Sequence, residues 1–285
     1  MEENSRDYIS SVAWIEKGNV LAVGNSKNIV ELWDINKKVC LRQMKSHSGR
    51  IGSLAWNRHM LSSGSRTGDI HSHDVRVAQH HTSTFKLHTQ EVCGLKWSPD
   101  YRYLASGGND NVVGIWDVNN VSSTSEAMFT FREHSAAVKA IAWCPWQNNV
   151  IATGGGTSDK QIKIWNSNNG TVHQSVDANS QVSSILWSSA YREIISSHGY
   201  QQNQLSIWKY PEMNKVCDLL GHANRILGMA MSPDAESVVS IGADETLRFW
   251  QCFQADENLK KSKEAANRAA KNTAAHKIGL GRGIR

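Results

Sequence analysis

The feature that most constrains this 285-residue chain is an internal repeat, which returns about every 43 residues. The unit is clearest between His88 and Asp117, where three short apolar runs are separated by turns. Proline cannot donate to a sheet ladder, so Ser98-Pro99-Asp100 ends the first run, and residues 107–111 form a tight turn between the other two. Apolar residues occupy both faces of these runs, so each small sheet must be covered on both sides. A single unit therefore cannot bury its own two apolar faces and needs neighbouring units on both sides.

Six copies of the unit account for most of the chain, at residues 8–34, 47–74, 88–117, 134–166, 177–209 and 222–251. The third run closes with Trp in every copy except the second, which has His73 there. Such a period with a closing Trp is typical of the WD repeat, in which each unit is one small sheet of a β-propeller. The sequence therefore predicts an all-β WD-repeat β-propeller over residues 1–253, with six repeats, followed by a basic, partly helical or disordered tail over residues 254–285.

Polar residues recur inside these units and need partners when they are buried. In the third unit a carboxylate can hold an imidazole, the imidazole a hydroxyl, and the hydroxyl an indole N–H. Three units keep all four members: His88, Ser106, Asp110 and Trp116; His134, Thr153, Asp159 and Trp165; and His222, Ser240, Asp244 and Trp250. Imidazole, carboxylate and hydroxyl also compose a catalytic triad, but a trio that repeats beside a Trp favours a structural role.

Two units depart from this pattern. The second has His73 in place of the closing Trp, with His71, His80 and His81 close by in sequence. A metal site is one interpretation, but no cysteine or carboxylate completes a ligand spacing, so we favour a variant blade and predict no metal. The fifth unit starts at Asp177 without a His and carries a longer loop at residues 197–204, a position where propellers place function.

Composition and charge narrow the function classes. No apolar run reaches the roughly 18 residues of a membrane helix, and the polar start is not a signal peptide, so we expect a soluble chain that is not secreted.

The five cysteines lie far apart without a CxxC pair, which favours reduced core thiols. The whole chain has a net charge of +5, and residues 254–285 alone account for all of it. Residues 1–253 are therefore balanced, and the propeller has no overall positive field that would attract a polyanion. The tail lacks aromatic residues for base stacking, and we expect no nucleic-acid partner.

Several strings of the chain resemble one family of WD-repeat proteins. They lie at residues 52–57, 61–66, 90–97, 142–147, 152–157 and 244–250. Together they are similar to the Fizzy family, the coactivators of the anaphase-promoting complex, and most similar to its mitotic Cdc-twenty branch. The likeness runs from about residue 8 to residue 253 and resumes at Ile284-Arg285.

The resemblance implies an adaptor that does no chemistry and needs no cofactor. Family members recruit mitotic substrates to a ubiquitin ligase by binding degron peptides. The positions that match their KEN-degron site are Asn109, Asn111, Thr157, Gln181 and Arg225, although turn-forming Asn and surface Arg would explain the same residue types. Glu245 matches the acidic contact for the destruction-box arginine. An adjacent apolar slot must add to it, because an exposed ion pair alone is weak.

The resemblance also implies partners and a location. Ile284-Arg285 matches the family's terminal dipeptide, which docks in a tetratricopeptide groove of the ligase. Spindle-checkpoint proteins are further expected partners. The cytoplasm and nucleus are the expected compartments, with spindle association in mitosis, and no membrane partner is expected.

The start of the chain departs from the family. Family members carry a disordered N-terminal arm and a seven-bladed propeller, whereas this sequence opens inside what resembles the second blade. We therefore expect a truncated form with an open or strained ring that exposes two sheet faces and an unpaired edge. The alternative function is a nonproductive fragment that binds degrons or the ligase without activating it. An enzyme is disfavoured, because every polar constellation repeats from unit to unit.

Overall fold

The structure is a computed structural model that describes residues 7–16, 18–118 and 126–253. This part of the chain contains 23 strands in six antiparallel sheets, which we call blades one to six. Within a blade, neighbouring strands in sequence are neighbours in space, from an inner strand outwards. The all-β, six-bladed propeller predicted from the repeat is confirmed.

The first three blades have four strands each. Their bounds are β1 (Ile9–Trp14), β2 (Val20–Asn25), β3 (Ile29–Asp34) and β4 (Val39–Lys45); β5 (Ile51–Asn57), β6 (Met60–Ser65), β7 (Asp69–Asp74) and β8 (His81–Lys86); and β9 (Val92–Trp97), β10 (Tyr103–Gly108), β11 (Val113–Asp117) and β12 (Phe129–Phe131).

Blades four and five also have four strands, and the described part of blade six has three. Their bounds are β13 (Val138–Trp143), β14 (Val150–Gly155), β15 (Gln161–Asn166) and β16 (Thr171–Asp177); β17 (Val182–Ser188), β18 (Glu193–His198), β19 (Leu205–Lys209) and β20 (Asn214–Leu219); and β21 (Ile226–Met231), β22 (Ser237–Gly242) and β23 (Leu247–Gln251).

The core lies between adjacent blades. Trp116 of blade three packs against Phe85 of blade two with ring centroids 5.1 Å apart, and Trp165 of blade four stacks on Phe131 of blade three at 4.2 Å. Both tryptophans are almost fully buried. Blades three and four therefore bury their closing tryptophans against the blade before them, as the two-sided apolar runs predicted.

Inner-strand tryptophans add a second link between blades. The indole of Trp56 donates to the carbonyl of Ala13 at 3.0 Å, that of Trp143 to Lys96 at 3.1 Å, and that of Trp187 to Ala142 at 3.0 Å. In each case the acceptor belongs to the inner strand of the preceding blade. Blade one is the first in the described part, and its Trp14 makes no such bond there and is 53% exposed.

The first and last blades do not pack against each other as neighbouring blades do, because β1 and β21 lack the contacts that join every other successive pair of inner strands. Val12 and Trp14 are exposed on the free face of blade one, and Ile241, Leu247 and Phe249 on the free face of blade six. We call these five residues the open seam. The central channel, a cavity of about 850 Å³, is lined by all six inner strands and also by Leu247, so channel and seam are continuous. The two exposed sheet faces expected from the sequence are present.

The cysteines correct one expectation. Cys144 is buried, whereas Cys40 and Cys217 are exposed on outer strands. The prediction of core thiols is therefore wrong for these two residues. Burial raises the pKa of the Cys93 thiol to about 12, which keeps it protonated.

Candidate peptide-binding site

The three complete tetrads form as predicted. In blade four, His134 Nδ1 lies 2.7 Å from Asp159 Oδ2, its Nε2 lies 2.7 Å from Thr153 Oγ1, and Trp165 Nε1 donates to that hydroxyl at 2.7 Å. Blades three and six repeat the chain at 2.7–3.2 Å. Burial alone would raise the pKa of Asp159, but hydrogen bonds from His134 and Ser135 outweigh it and lower that pKa to about 2. The tetrads are buried, repeated and internally satisfied, which is a structural arrangement.

Blades two and five keep the central hydroxyl but not the complete tetrad, and each has a histidine at a position that differs from the other blades. In blade two, Ser63 Oγ lies 2.7 Å from His47 Nε2 and 2.9 Å from His73 Nε2, so His73 occupies the place of the indole. In blade five, Ser196 Oγ accepts from Trp208 Nε1 at 2.7 Å and lies 2.7 Å from His198 Nε2. His198 belongs to β18 rather than to the segment before the inner strand. The interpretation of residues 197–204 as one functional loop is thus wrong for Ser197 and His198, which are buried strand residues.

All five positions expected to contact a KEN peptide lie on one rim of the ring. Asn109 and Asn111 are in the β10–β11 turn, Thr157 is in the β14–β15 turn, and Gln181 and Arg225 stand directly before β17 and β21. In an antiparallel blade the turn between the second and third strands meets the segment before the inner strand. The bonds from Asn109 N to Glu91 O and from Ala243 N to Arg225 O, both 2.9 Å, join such pairs.

Three of the five positions are brought together. Thr157 Oγ1 donates to Gln181 Oε1 at 3.0 Å. Gln181 and Arg225 flank Gly199, where an added Cβ would lie 3.0 Å from Arg225 Cβ and still closer to the Gln181 amide nitrogen. We call Thr157, Gln181 and Arg225 the rim cluster. The side-chain carbonyl of Gln181 already accepts a hydrogen bond from Thr157. The groups that remain for a ligand are therefore the Gln181 amide N–H groups and the Arg225 guanidinium.

Asn109 and Asn111 flank the tetrad carboxylate of Asp110. Asn109 is exposed, and Asn111 adopts a left-handed φ of 66°. Lys160 and Glu245, which also follow a tetrad Asp, have φ of 59° and 60°. The turn geometry therefore accounts for Asn at position 111, since Asn tolerates this conformation. No bond among the described residues joins either asparagine to the rim cluster.

Glu245 lies on the same rim at the edge of the open seam. It is exposed in the β22–β23 turn, two residues before Leu247, which is 63% exposed. Leu247 lines the same cavity as Val12 of blade one. An acidic group thus stands beside the exposed apolar residues of the open seam, and its role in binding a destruction box stays a prediction.

Sequence reasoning missed one ion pair on this rim. Arg50 Nε donates to Glu91 Oε1 at 2.7 Å, and its Nη2 pairs with Oε2 at 2.5 Å. The hydrogen bonds that Arg50 donates to Glu91 and to the Tyr8 hydroxyl raise the pKa of Arg50 above its usual range. The partners are 41 residues apart, so no local pattern signals the pair. Because Arg50 engages both oxygens of Glu91, this carboxylate is not free for a ligand.

The remaining sequence expectations concern metal sites, membrane helices and the C-terminal tail. Among the described residues, no group of three or more His, Cys, Asp or Glu has metal-binding geometry, and no helix there is long and apolar enough to cross a membrane. Ile284, Arg285 and the rest of the predicted tail lie outside the described residues, so these expectations stay predictions.

Comparisons with known proteins identify the family. A model of the CDC20/Fizzy WD40 domain matches residues 1–250. The chain belongs to the CDC20/Fizzy family. It is 52% identical over 269 residues to the anaphase-promoting complex subunit cdc20 of Dictyostelium discoideum, a match that covers 93% of this chain and 54% of that protein. It is 48% identical over 257 residues to the WD repeat-containing protein slp1 of Schizosaccharomyces pombe, covering 90% and 52%.

A solved structure agrees with the CDC20/Fizzy assignment. A chain in the crystal structure of a mitotic checkpoint complex superposes with a TM-score of 0.84 and 48% identity, covering 88% of this chain and 77% of that one. The resemblance inferred from the sequence strings is therefore confirmed. The chain spans about half the length of the curated CDC20/Fizzy relatives that it matches.

Proposed function

We propose that this chain is a substrate-recognition adaptor and coactivator of the anaphase-promoting complex, a ubiquitin ligase. It binds the KEN and destruction-box degrons of mitotic substrates and performs no catalysis. The observation that carries the proposal is the rim cluster, in which Thr157 bonds to the Gln181 amide and the Arg225 side chain begins close beside it, so that three neighbouring blades contribute a hydroxyl, an amide and a side chain that ends in a guanidinium. Such groups suit a short polar peptide, because each pairs with a side chain or backbone group of the ligand.

The two halves of the rim take different parts of a KEN peptide. Gln181 has its carbonyl engaged by Thr157, so the rim cluster presents donors and binds the glutamate carboxylate. Arg225 adds a charge-assisted contact, which is stronger than a neutral hydrogen bond. Asn109 and Asn111 present amides, which both donate and accept, to the other polar groups of the peptide.

The destruction box binds at the open seam. Glu245 pairs with the degron arginine, and Leu247 with Ile241 provides the apolar wall for its leucine. The exposed ion pair contributes on the order of 1 kcal/mol at most, so the buried leucine carries more of the affinity.

The remaining partners follow from the family resemblance. The terminal Ile284-Arg285 docks in a tetratricopeptide groove of the ligase through its carboxylate and two side chains. Spindle-checkpoint proteins bind as well, in keeping with the checkpoint complex that contains a similar chain. The protein acts in the cytoplasm and nucleus and associates with the spindle in mitosis.

The KEN assignment is tested by calorimetric titration of a KEN peptide into single alanine variants. Asn109→Ala, Asn111→Ala and Arg225→Ala are each expected to weaken binding about tenfold, the effect of one lost polar contact. Arg192→Ala is the matched control, because Arg192 is an exposed arginine on the opposite rim, in the turn before β18. Unchanged affinity in all three rim variants refutes the assignment.

A further inference from the structure

A glycine without a conformational reason to be glycine lies beneath the rim cluster. Gly199 follows β18 directly. The described glycines with positive φ are Gly18, Gly68 and Gly170, so the backbone at Gly199 is one that other residues adopt. What the position lacks is space for a side chain.

The backbone of Gly199 is fixed from below. Ser180 is buried, and its single hydroxyl hydrogen is shared between the carbonyls of Gly199 at 2.5 Å and of Tyr200 at 3.1 Å. The next residue, Gln201, has φ of 92°, a strained value for a residue with a side chain. The loop therefore has little freedom to withdraw from the rim cluster.

The Gln181 amide occupies the space that a side chain at position 199 would need. An added Cβ would lie 2.9 Å from Gln181 Cδ and inside contact distance of Nε2, and also 3.0 Å from Arg225 Cβ. Thr157 Oγ1 holds the other end of the amide by donating to Oε1. The Gln181 amide is thus held at its oxygen by the Thr157 hydroxyl, and its nitrogen lies against the backbone of Gly199, where there is no side chain.

We propose that Gly199 is the specificity-determining residue of the rim cluster, where its missing side chain lets Gln181 direct its N–H groups beside Arg225 and so select a carboxylate over an amide in the peptide. The inference rests on the proposed KEN function and adds a residue that touches no ligand. The most obstructed group is the end of a flexible side chain, and the Arg225 Cβ at 3.0 Å has to move by only a few tenths of an ångström, so an added methyl displaces the amide without unfolding the blade.

The test uses two peptides that differ in one group, a KEN peptide and its KQN counterpart. For the wild-type chain, the KEN peptide is expected to bind at least about tenfold more tightly, which corresponds to one charge-assisted contact. For Gly199→Ala, the preference should fall to about twofold or less while the melting temperature stays unchanged. Gly228→Ala is the matched control, because its added Cβ meets only Ile241 at 3.8 Å, and it should keep the preference.

A double-mutant cycle separates positioning from general damage. On the Gln181→Ala background, Gly199→Ala should cause no further loss, because the group it displaces is gone. The inference is overturned if Gly199→Ala keeps the wild-type preference, if its effect adds to that of Gln181→Ala, or if the variant fails to fold. If wild-type chain binds neither peptide, the proposed function falls together with the inference. If it binds both peptides with the same ratio as Gly199→Ala, only the inference falls.

Discussion

At the scale of single residues, blades two to six each contain a hydroxyl oxygen that joins an imidazole to an indole or to a second imidazole. The sequence predicts the imidazole, hydroxyl and carboxylate wherever the spacing of the third unit recurs, and three blades follow it. Blade five does not, because His198 reaches Ser196 from two residues away on the same strand. A pattern based on the segment before the inner strand has no means of finding it.

The first prediction concerns His198. Substitution His198→Ala removes a fully buried ring and leaves Ser196 with one partner fewer, so it should lower the free energy of unfolding by about 2–4 kcal/mol. Urea denaturation measures this. His173→Ala, at an exposed position on β16, is the control and should change stability by less than about 0.5 kcal/mol. An equal effect of the two substitutions would show that His198 does not replace the missing tetrad histidine.

For the rim residues, the sequence predicts their placement on one edge of the propeller but not their contacts with each other. Their placement on one edge follows from the repeat, because equivalent turns of an antiparallel blade meet at the same end. The direct contact of Thr157 with Gln181 spans 24 residues, and the fit of Gly199 depends on a side chain from another strand. Contacts of this kind depend on three-dimensional packing, which residue type and spacing do not specify.

At the scale of elements, neighbouring blades are joined by inner-strand tryptophans that donate to the preceding strand. Trp56 bonds to Ala13, whereas Trp14 has no preceding blade among the described residues. The same residue type at equivalent positions therefore has two different energetic roles. This pair gives an internal comparison within one chain.

The second prediction uses this pair. Trp56→Phe removes the inter-blade hydrogen bond and should lower the free energy of unfolding by about 1 kcal/mol or more. Trp14→Phe removes no such bond from a residue that is half exposed and should be neutral within about 0.5 kcal/mol. Thermal and urea unfolding of both variants provide the measurement. A larger loss for Trp14→Phe would contradict the open arrangement of blade one.

Blade two contains a cluster of histidines whose charged forms are disfavoured. Burial, followed by the neighbouring imidazole of His71, lowers the pKa of His47 to about 3. Burial, followed by His81, lowers the pKa of His71 to about 4. The rings of His47 and His71 stack at 3.9 Å, so both must remain neutral in the folded blade. An unfolded histidine titrates near 6.5.

The third prediction is the resulting pH dependence. Above about pH 6.5 these histidines are neutral in both states; as the pH falls toward 4, the unfolded chain takes up protons that the folded blade does not. The free energy of unfolding should therefore decrease from pH 7 to pH 5, by up to about 2 kcal/mol for each such histidine. His71→Phe keeps a stacking ring and should reduce the slope, whereas His173→Phe should not. A pH-independent stability over this range would contradict the cluster.

At the scale of the whole molecule, the open seam is the main departure from a sealed ring. Phe249 is 81% exposed and Leu247 63%, opposite Val12 and Trp14. Monomeric proteins seldom leave such apolar faces uncovered. The comparison of six repeats with the seven blades of the family predicted this exposure, but which side chains stand on the two faces depended on the register of the strands.

The fourth prediction is self-association of the purified 285-residue chain through the seam. Light scattering after size exclusion should show species larger than a monomer, and the double variant Leu247→Lys with Phe249→Lys should shift them toward monomer. Val216→Lys, at a 54% exposed position on the outer strand of blade five, is the control and should leave the association unchanged. A monodisperse wild-type monomer with a cooperative melt would contradict the prediction.

We propose above all that one rim of this propeller binds a degron. The most direct measurement is photo-crosslinking of a KEN peptide that carries a short-range crosslinker, followed by mass-spectrometric mapping of the attachment sites. We expect crosslinks at residues 107–112, 156–158, 179–182 and 223–226, which form the rim of Asn109, Gln181 and Arg225, and their loss on competition with unlabelled KEN peptide. Crosslinks on the opposite rim, or a pattern that the unlabelled peptide does not reduce, would contradict the account.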